Sequence, residues 1–593
     1  MSKPEYQSIP EMMKSVLTAS QPVEYHYHFQ GKWNHYSAVE FLEQWQNLSW
    51  ALHDLGLEVK QTVAIMAPSS PFWILCDLAT QTCRGWTVPF FLNLSLENFE
   101  FQCRDAEVKI IFIDDPNNFN NDQKKLLQKV ETVICFHNHQ DLPKALSLND
   151  LLHKGDELKK ADDSNWFDNE ISKLQRDDIA TIVYASGSTG FPKGSEISHG
   201  NLLFQFESAQ TIFQVDSEKD VVLSVLPVAH IFERMAVYYF SSQRLPIWFG
   251  SEPKLIGSYL KEVKPTSVTM VPRILERLYE ALTSSAQSAR GIKKFILMGA
   301  IRYARSGDPL NKSWRWYVWN ALVYRKMREA LGGRINLIVS GSSALNAVVH
   351  RFLLNIGLPV YEGYGLTESS PTLAAEYKDH INIGSVGPAF PGVKMRIGKD
   401  DEIEVLSPGN MRGYHNNPEA TKEAFCDDGW LKTGDTGYID ENGYLFITGR
   451  LKELFKTSTG KYISPVPIEN EVMRDPFIET AVVIADNKKF TSALIFLNHV
   501  QCAAFLRKTE ANYDPKVATQ SKRIKHRIDR RIKRVNSKLN EWEQIKKWVI
   551  LPDTMTPESG LLTPTLKIRR HKIDIEYSDA IENIYGKDID AEV

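Results

Sequence analysis

The chain has 593 residues, 43% of them hydrophobic, with 70 basic against 73 acidic side chains and a formal charge of −3. That length exceeds a single core and predicts two or more domains, while the near-even balance excludes a global pull towards nucleic acid or anionic lipid and leaves only local patches to supply one. Six cysteines without CxxC spacing argue against a disulfide framework or a clustered zinc site and make the reducing cytosol the default compartment.

The opening MSKPEYQSIPEMMKSV lacks the apolar core and cleavage site of a signal peptide, and no apolar run reaches the ~18 residues of a spanning helix. Over residues 37–57 the apolar Val39, Leu42, Trp45, Leu48, Leu52 and Leu55 recur at the helical period, and residues 63–68 follow as a short buried strand. Residues 71–83 predict a second helix, Arg84 and Gly85 a turn, and residues 108–113 another strand. Helices alternating with β-branched runs predict α/β architecture with a largely parallel sheet. The polar residues 117–125 and the acidic residues 156–168 read as surface connections. The histidines within residues 25–28, and Cys135 with His137 and His139, have no second ligand pair at zinc-site spacing and read as solvated strand or loop side chains.

Residues 184–194 read YASGSTGFPKG, after an apolar run (179–184) that predicts a buried strand. Gly187 and Gly190 let backbone N–H groups approach an anion, Ser186, Ser188 and Thr189 donate hydroxyls, and Lys193 adds a cation, which together compose a phosphate cradle. The P-loop of kinases and GTPases is disfavoured, because Pro192 and Gly194 stand where it needs Gly before the lysine and Ser or Thr after it. In full the phrase resembles the phosphate loop of the adenylate-forming superfamily of acyl-CoA synthetases, luciferases and peptide-synthetase adenylation domains. Ala185 and Ser188 replace commoner threonines, Ser188 keeping the hydroxyl.

Two later phrases are similar to the long-chain acyl-CoA synthetase branch. LPVAHIFER (226–234) reads as an apolar strand ending in His230, Phe232, Glu233 and Arg234. By itself it would serve as core with an ion pair; in the branch the matching histidine and its following aromatic border the acyl pocket. VPRILERLYE (271–280) is the second phrase. Such a pocket selects by buried apolar surface, about 0.8 kcal/mol per methylene, so a long alkyl chain binds without polar recognition. Residues 312–328 then combine Trp314, Trp316, Tyr317 and Trp319 with Lys312, Arg315, Arg325 and Lys326. They fit a helix lying on a membrane surface, a peripheral contact; the other reading is an amphipathic helix packed on its domain.

LIVSGSSAL (337–345) predicts a strand entering a small-residue turn, where Gly341 lets backbone approach a flat ring and Ser342 stands where the family usually has Gly or Ala. VYEGYGLTES (360–369) is the superfamily's most characteristic phrase after the loop. The resemblance implies that Tyr364 stacks on adenine, that Thr367 donates to the α-phosphate and that Glu368 holds Mg2+, with Gly365 counted in the cofactor-binding set. Residues 402–469 match almost without interruption. Asp435 stands where the family's carboxylate takes both ribose hydroxyls, Arg450 where an arginine contacts ribose or phosphate, and Lys452 at the hinge, counted with the cofactor-binding set. Beyond it come strands at 481–485 and 492–497 and a helix over 521–542, with Ile524, Ile528, Ile532, Val535, Leu539 and Trp542 on one face. The basic opposite face reads as solvated, with CoA phosphates or lipid headgroups as its other reading; nothing accompanies it that would recognise nucleic acid. In GLLTPTLKIRR (560–570) Lys567 aligns with the superfamily's adenylation lysine.

The expected architecture is a large N-terminal multi-subdomain α/β domain with mostly parallel sheets (1–450) and a small mobile C-terminal α+β domain (451–593). The expected activity is ATP- and Mg2+-dependent conversion of a long-chain fatty acid to acyl-AMP, then thioester formation with CoA. Lys567, Thr367, Glu368 and His230 carry the chemistry, and Ser186, Gly187, Ser188, Thr189, Gly190, Lys193, Gly341, Ser342, Tyr364, Gly365, Asp435, Arg450 and Lys452 bind nucleotide or cofactor. The alternatives are an acyl-AMP ligase that loads a carrier protein and a catalytically silent lipid-binding protein. Intact Glu368, Asp435, Arg450 and Lys567 argue against the latter.

Overall fold

A computed structural model describes residues 5–161, 164–185, 191–451, 454–456, 462–506, 513–556, 559–562 and 568–586. Contacts divide the chain into two compact units, Met1–Arg396 with Glu404–Thr433 and Ile439–Phe446, and Ile397–Ile403 with Gly434–Tyr438 and Ile447–Val593.

In chain order the strands begin with the hairpin β1 (Tyr25–Phe29) and β2 (Lys32–Tyr36). Next come β3 (Thr62–Met66), β4 (Trp86–Pro89), β5 (Ile110–Ile113), β6 (Thr132–Cys135), β7 (Leu146–Ser147), β8 (Ile179–Ala185) and β9 (Lys193–Ser198). There follow β10 (Val222–Ser224), β11 (Ile247–Phe249), β12 (Ser267–Met270), β13 (Leu337–Ser340), β14 (Val360–Gly365) and β15 (Thr372–Ala375), then β16 (Lys394–Ile397), β17 (Glu402–Leu406), β18 (Gly413–Tyr414), β19 (Leu431–Ile439) and β20 (Leu445–Arg450). They build two eight-stranded sheets, β15-β14-β13-β12-β10-β11-β1-β2 and β18-β9-β8-β4-β3-β5-β6-β7, and a four-stranded sheet, β16-β17-β19-β20. In the first sheet the interior pairs are parallel and both end pairs antiparallel; in the second, β8 to β7 are joined by parallel pairs and β18-β9-β8 by antiparallel ones. Every residue of β3 and β5 is buried, as expected of strands covered on both faces by crossover helices.

The second unit carries β21 (Phe455–Lys456) with β22 (Tyr462–Ile463), and a sheet of β23 (Ile478–Ile484), β24 (Thr491–Leu497) and β25 (Ile545–Leu551). β23 pairs antiparallel and β25 parallel to β24. The helix Lys522–Asn536 buries Ile524, Ile528, Ile532 and Val535. The architecture is thus a large α/β region with mostly parallel sheets and a smaller α+β region.

Four local expectations need correction. The 521–542 helix stops at Asn536, whose side-chain amide both donates to and accepts from the Ile545 backbone, so Leu539 and Trp542 leave the helical stripe. Part of its basic face is paired: Arg527 meets Asp475 at 2.9 Å and Arg531 meets Glu471. Within 117–125 a helix forms, Asn121–Leu127, because Asn120 and Gln123 make a reciprocal capping box. The start of 156–168 continues the helix Leu148–Ala161, which lies so close to the helix Ala38–Asp54 that a Cβ on Gly155 would sit 1.8 Å from the Asn47 carbonyl oxygen. Finally, residues 226–234 are no strand. His230 caps the helix Ile231–Ser242, its Nδ1 accepting from the Phe232 N–H at 3.2 Å, and the strand is the earlier β10.

Candidate active site

The phosphate-cradle residues Ser186, Gly187, Ser188, Thr189 and Gly190 lie outside the described residues, between the end of β8 and the start of β9. The strands around them are tightly specified. A Cβ on Gly194 would come within 2.7 Å of Ile182 and 2.9 Å of the Tyr184 ring, so only glycine allows this crossing. Lys193 opens β9, and its Nζ lies 4.9 Å above the Tyr414 ring, within cation–π range. Tyr414 arrives on the two-residue β18, paired antiparallel with β9 at Ser195. Its hydroxyl donates to Glu368 Oε1 at 2.8 Å; burial and the Glu368 charge push the phenol well above its usual range. Lys193 and Glu368, 175 positions apart, therefore share one tyrosine. Sequence reading missed Tyr414, because a two-residue strand has no periodicity to find.

Thr367 and Glu368 occupy the short turn Thr367–Ser369 after β14. A Cβ on Gly365 would stand 1.8 Å from the Pro371 oxygen, which makes glycine obligatory where the chain doubles back. Gln205, from the helix His199–Ile212, clamps the doubled segment: its Nε2 donates to the Ser369 and Thr372 carbonyls at 3.0 and 3.1 Å, and its Oε1 accepts from the Thr372 N–H. The Met411 N–H donates to the Glu368 carbonyl at 2.7 Å. The residue meant to hold a cation is thus fixed through its main chain and one carboxylate oxygen. Tyr364 stands opposite Ala374 in the β14–β15 pair.

The turn after β13 begins at Gly341, where a Cβ would make ordinary contact with the Phe232 ring at 3.5 Å and the Gly363 carbonyl at 3.7 Å. Ser342 follows in the left-handed region, φ 73°. Beneath this turn lies a buried cluster that the sequence reading missed. Glu362 Oε1 accepts from the Leu345 N–H and Glu376 Oε2 from the Glu362 N–H, both at 3.0 Å. His350 Nε2 donates to the Val360 carbonyl at 3.0 Å and lies 3.4 Å from Glu376. Burial pushes both carboxyls up to about 8 and lowers His350 to about 4.

These shifts give a stability prediction. Between the ordinary carboxyl value of 4.5 and about 8 the folded chain retains protons that the unfolded chain has released. The stabilisation is complete below the unfolded value and is lost as pH rises through the folded one. The thermal midpoint of the wild type is expected to fall from about pH 6 to about pH 9 and that of Glu362→Gln to fall less; identical slopes would show that the pair does not titrate in this range. His350 acts in the opposite direction, its contribution being lost as pH drops from 6.5 towards about 4.

His230 sits at the mouth of its helix with its ring 6.3 Å from that of Phe91. The next two polar residues of the phrase are core. Glu233 accepts from Ser224 and Thr269, and burial raises it to about 7. Arg234, fully buried, grips Asp77.

In the second unit Asp435 and Arg450 come together from adjacent strands, Arg450 Nε donating to Asp435 Oδ1 at 2.6 Å. Gly434 before it has φ 70° and its N–H donates to Glu402 Oε1 at 3.0 Å. Lys452 and Lys567 lie outside the described residues. Near the latter, Leu562 and Ile568 form a bridge, and Arg570 holds Glu469 through two bonds of 2.7 and 2.8 Å.

Known proteins bear on this geometry. The long-chain-fatty-acid–CoA ligase FadD15 of Mycobacterium tuberculosis is 31% identical over 94% of this chain and 93% of its own. Fatty acyl-CoA synthetase A of Dictyostelium discoideum is 27% identical over 91% and 84%. Among solved structures, the adenylation domain of a carboxylate reductase from Mycobacterium chelonae has a TM-score of 0.79 at 17% identity, covering 98% of this chain and 92% of its own. ATP-bound MatB from Rhodopseudomonas palustris scores 0.69 at 22% identity, over 97% and 99%. The AMP-binding enzyme C-terminal domain matches residues 453–588. Since the AMP-binding enzyme family matches residues 17–415, about two thirds of the sequence, the chain belongs to that family of adenylate-forming enzymes.

Proposed function

We propose that the protein is a long-chain fatty acid–CoA ligase of the AMP-forming kind, with one domain over residues 1–450, a second over 451–593 and a hinge at Lys452. The observation that carries the reading is the Tyr414 bridge from Lys193 to Glu368, which brings together a cation and a hard carboxylate.

In the first half-reaction a carboxylate oxygen of the fatty acid attacks the α-phosphorus of ATP; the new O–P bond forms as the bond to the bridging oxygen breaks, and pyrophosphate leaves. A weak anionic nucleophile meets an anionic substrate, so alignment and charge neutralisation are the main needs. Ser186, Gly187, Ser188, Thr189, Gly190 and Lys193 hold the β- and γ-phosphates. Gly341, Ser342, Tyr364 and Gly365 receive adenine, Asp435 and Arg450 the ribose, and Thr367 the α-phosphate. His230 borders the acyl chain, and Lys567 bridges carboxylate and α-phosphate oxygens. Glu368 is a carboxylate with one oxygen already fixed by Tyr414, a donor suited to Mg2+, which binds through one or two carboxylates plus substrate phosphates. Bound there, the ion supplies charge neutralisation on the triphosphate. In the second half-reaction the CoA thiolate attacks the acyl carbon of the mixed anhydride and AMP departs. The test is pyrophosphate release from purified protein over acyl chains of graded length, with thioester measured in the presence and absence of CoA. Release that rises with long chains and thioester that requires CoA support the reading; no fatty-acid-dependent release overturns it.

The same reading includes a cytoplasmic enzyme resting on a membrane. Among the described residues no helix is long and apolar enough to cross one. Exposed apolar side chains instead gather on the helix Trp314–Trp319 and the turn Asn320–Tyr324 that continues it, and on the helix Gly291–Ser306. Trp314 (72% exposed), Tyr317 (62%), Val318 and Leu322 follow helical spacing, and Ile292 (81%) and Phe295 (80%) project from the helix Gly291–Ser306. Lys293, Lys294, Arg315 and Arg325 accompany them, a combination suited to an anionic interface. Trp316 and Trp319 leave the interfacial set: Trp316 donates to the Asn355 carbonyl at 2.6 Å, and the Trp319 ring covers Gly299. Wild type is expected to float with anionic phospholipid vesicles and the Ile292→Ser, Phe295→Ser, Trp314→Ser, Tyr317→Ser variant to stay in the soluble fraction; equal flotation would remove these helices as the contact.

A further inference from the structure

We propose that Glu24, His26 and His35 form a binding site for a divalent transition cation of the zinc class on the edge hairpin β1–β2. Strand geometry explains the convergence. Glu24 and His26 are two residues apart and share a face, and the antiparallel register sets His35 directly opposite His26, with imidazole centroids 4.8 Å apart. One ligand atom from each of the three lies within 4.8 Å of the others, and His35 Nε2 stands 3.3 Å from Glu24 Oε2. In a tetrahedral zinc centre with bonds of about 2.0–2.1 Å the ligand atoms are roughly 3.4 Å apart. One edge of the triangle already has that length, and the others close by at most roughly 1.4 Å, a movement within reach of side-chain torsions.

The members differ in mobility in a way that suits capture of an ion. Glu24 and His35 are half exposed and free to swing. His26 is the fixed post: its ring stacks on Trp248 at 3.9 Å with planes 8° apart. Two imidazoles and one carboxylate favour zinc, nickel or copper over magnesium and calcium, so this site does not compete for the ion assigned to Glu368. Its consequence is mechanical. Among the described residues β2 ends its sheet and pairs only with β1, and a bound cation would clip that edge strand to its neighbour.

The test is calorimetric titration of the full-length protein with ZnCl2 in chelator-free buffer containing excess Mg2+, alongside thermal midpoints with zinc and with EDTA. One saturable zinc site and a zinc-dependent rise of the midpoint are expected in wild type. His35→Asn and Glu24→Gln, both on exposed positions, are expected to weaken binding by roughly tenfold or more and to lose the rise, while matching wild type in EDTA. Absence of saturable binding, or the same isotherm and the same rise in wild type and both variants, overturns the proposal.

Discussion

Lys567→Ala is expected to lower fatty-acid-dependent pyrophosphate release by roughly 100- to 1000-fold, the usual loss when one donor to developing transition-state charge is removed. Thioester formation from supplied acyl-AMP and CoA is expected to be largely retained. The separation follows from the chemistry of the two steps. In the first, a carboxylate approaches a phosphate, and a cation bridging both oxygens offsets their repulsion most strongly where they are closest. In the second, the attacked carbon lies in an activated anhydride and AMP departs as a stable anion, so the same charge has no matching task there. Both rates are measured on one preparation, and equal loss of both would show that the role of Lys567 or the motion at Lys452 is misassigned.

Arg234→Met is expected to destabilise the protein by about 3–5 kcal/mol, the cost of leaving a buried charge without its partner. The guanidinium is fully buried. Its Nε and Nη2 meet the two Asp77 oxygens at 3.0 and 2.5 Å, and its Nη1 donates to Thr181 Oγ1 at 2.8 Å. Asp77 also accepts from Tyr238 at 2.5 Å and Gln81 at 2.7 Å, so loss of the arginine strands a carboxylate among neutral donors only. Adding Asp77→Asn removes that charge and keeps an acceptor for Tyr238, so the double variant should be more stable than the single one. Urea unfolding of the three proteins decides this; a double variant no better than Arg234→Met would show that lost packing, not the stranded charge, sets the cost.

What was legible in the sequence follows the range of the physical signal. Strands such as β3 and β8 announce themselves in consecutive buried residues, and the amphipathic stripe of residues 524–535 in its period. Gly194 and Gly365 stand inside recognisable phrases, but the reason each must be glycine does not: it comes from Ile182 on the neighbouring strand and from the Pro371 carbonyl where the chain doubles back. Tyr414, Glu376 and His350 were not legible, since each meets its partner only after separate elements pack. The tryptophans show the limit from the other side. Composition leaves residues 312–328 open to an interfacial or a packed reading, and only packing separates Trp314, which faces outward, from Trp316, whose indole N–H is spent on Asn355. Likewise the reading of HIFER as core with an ion pair holds for the buried Glu233 and Arg234, but the partner of Arg234, Asp77, lies 157 positions away and only packing reveals it.

The pairing of β18 with β9 also bears on how the chain is made. Ser198, the last residue of β9, leaves the ribosome 215 residues ahead of Gly413. At synthesis rates of about 5–20 residues per second, the outer edge of β9 stays open for roughly 10–40 s. An open strand edge is a template for pairing with another chain. The nascent protein is therefore most exposed to mispairing along β9, and a chaperone that protects this enzyme has its clearest task in that interval, before the residues that bring Tyr414 have been translated.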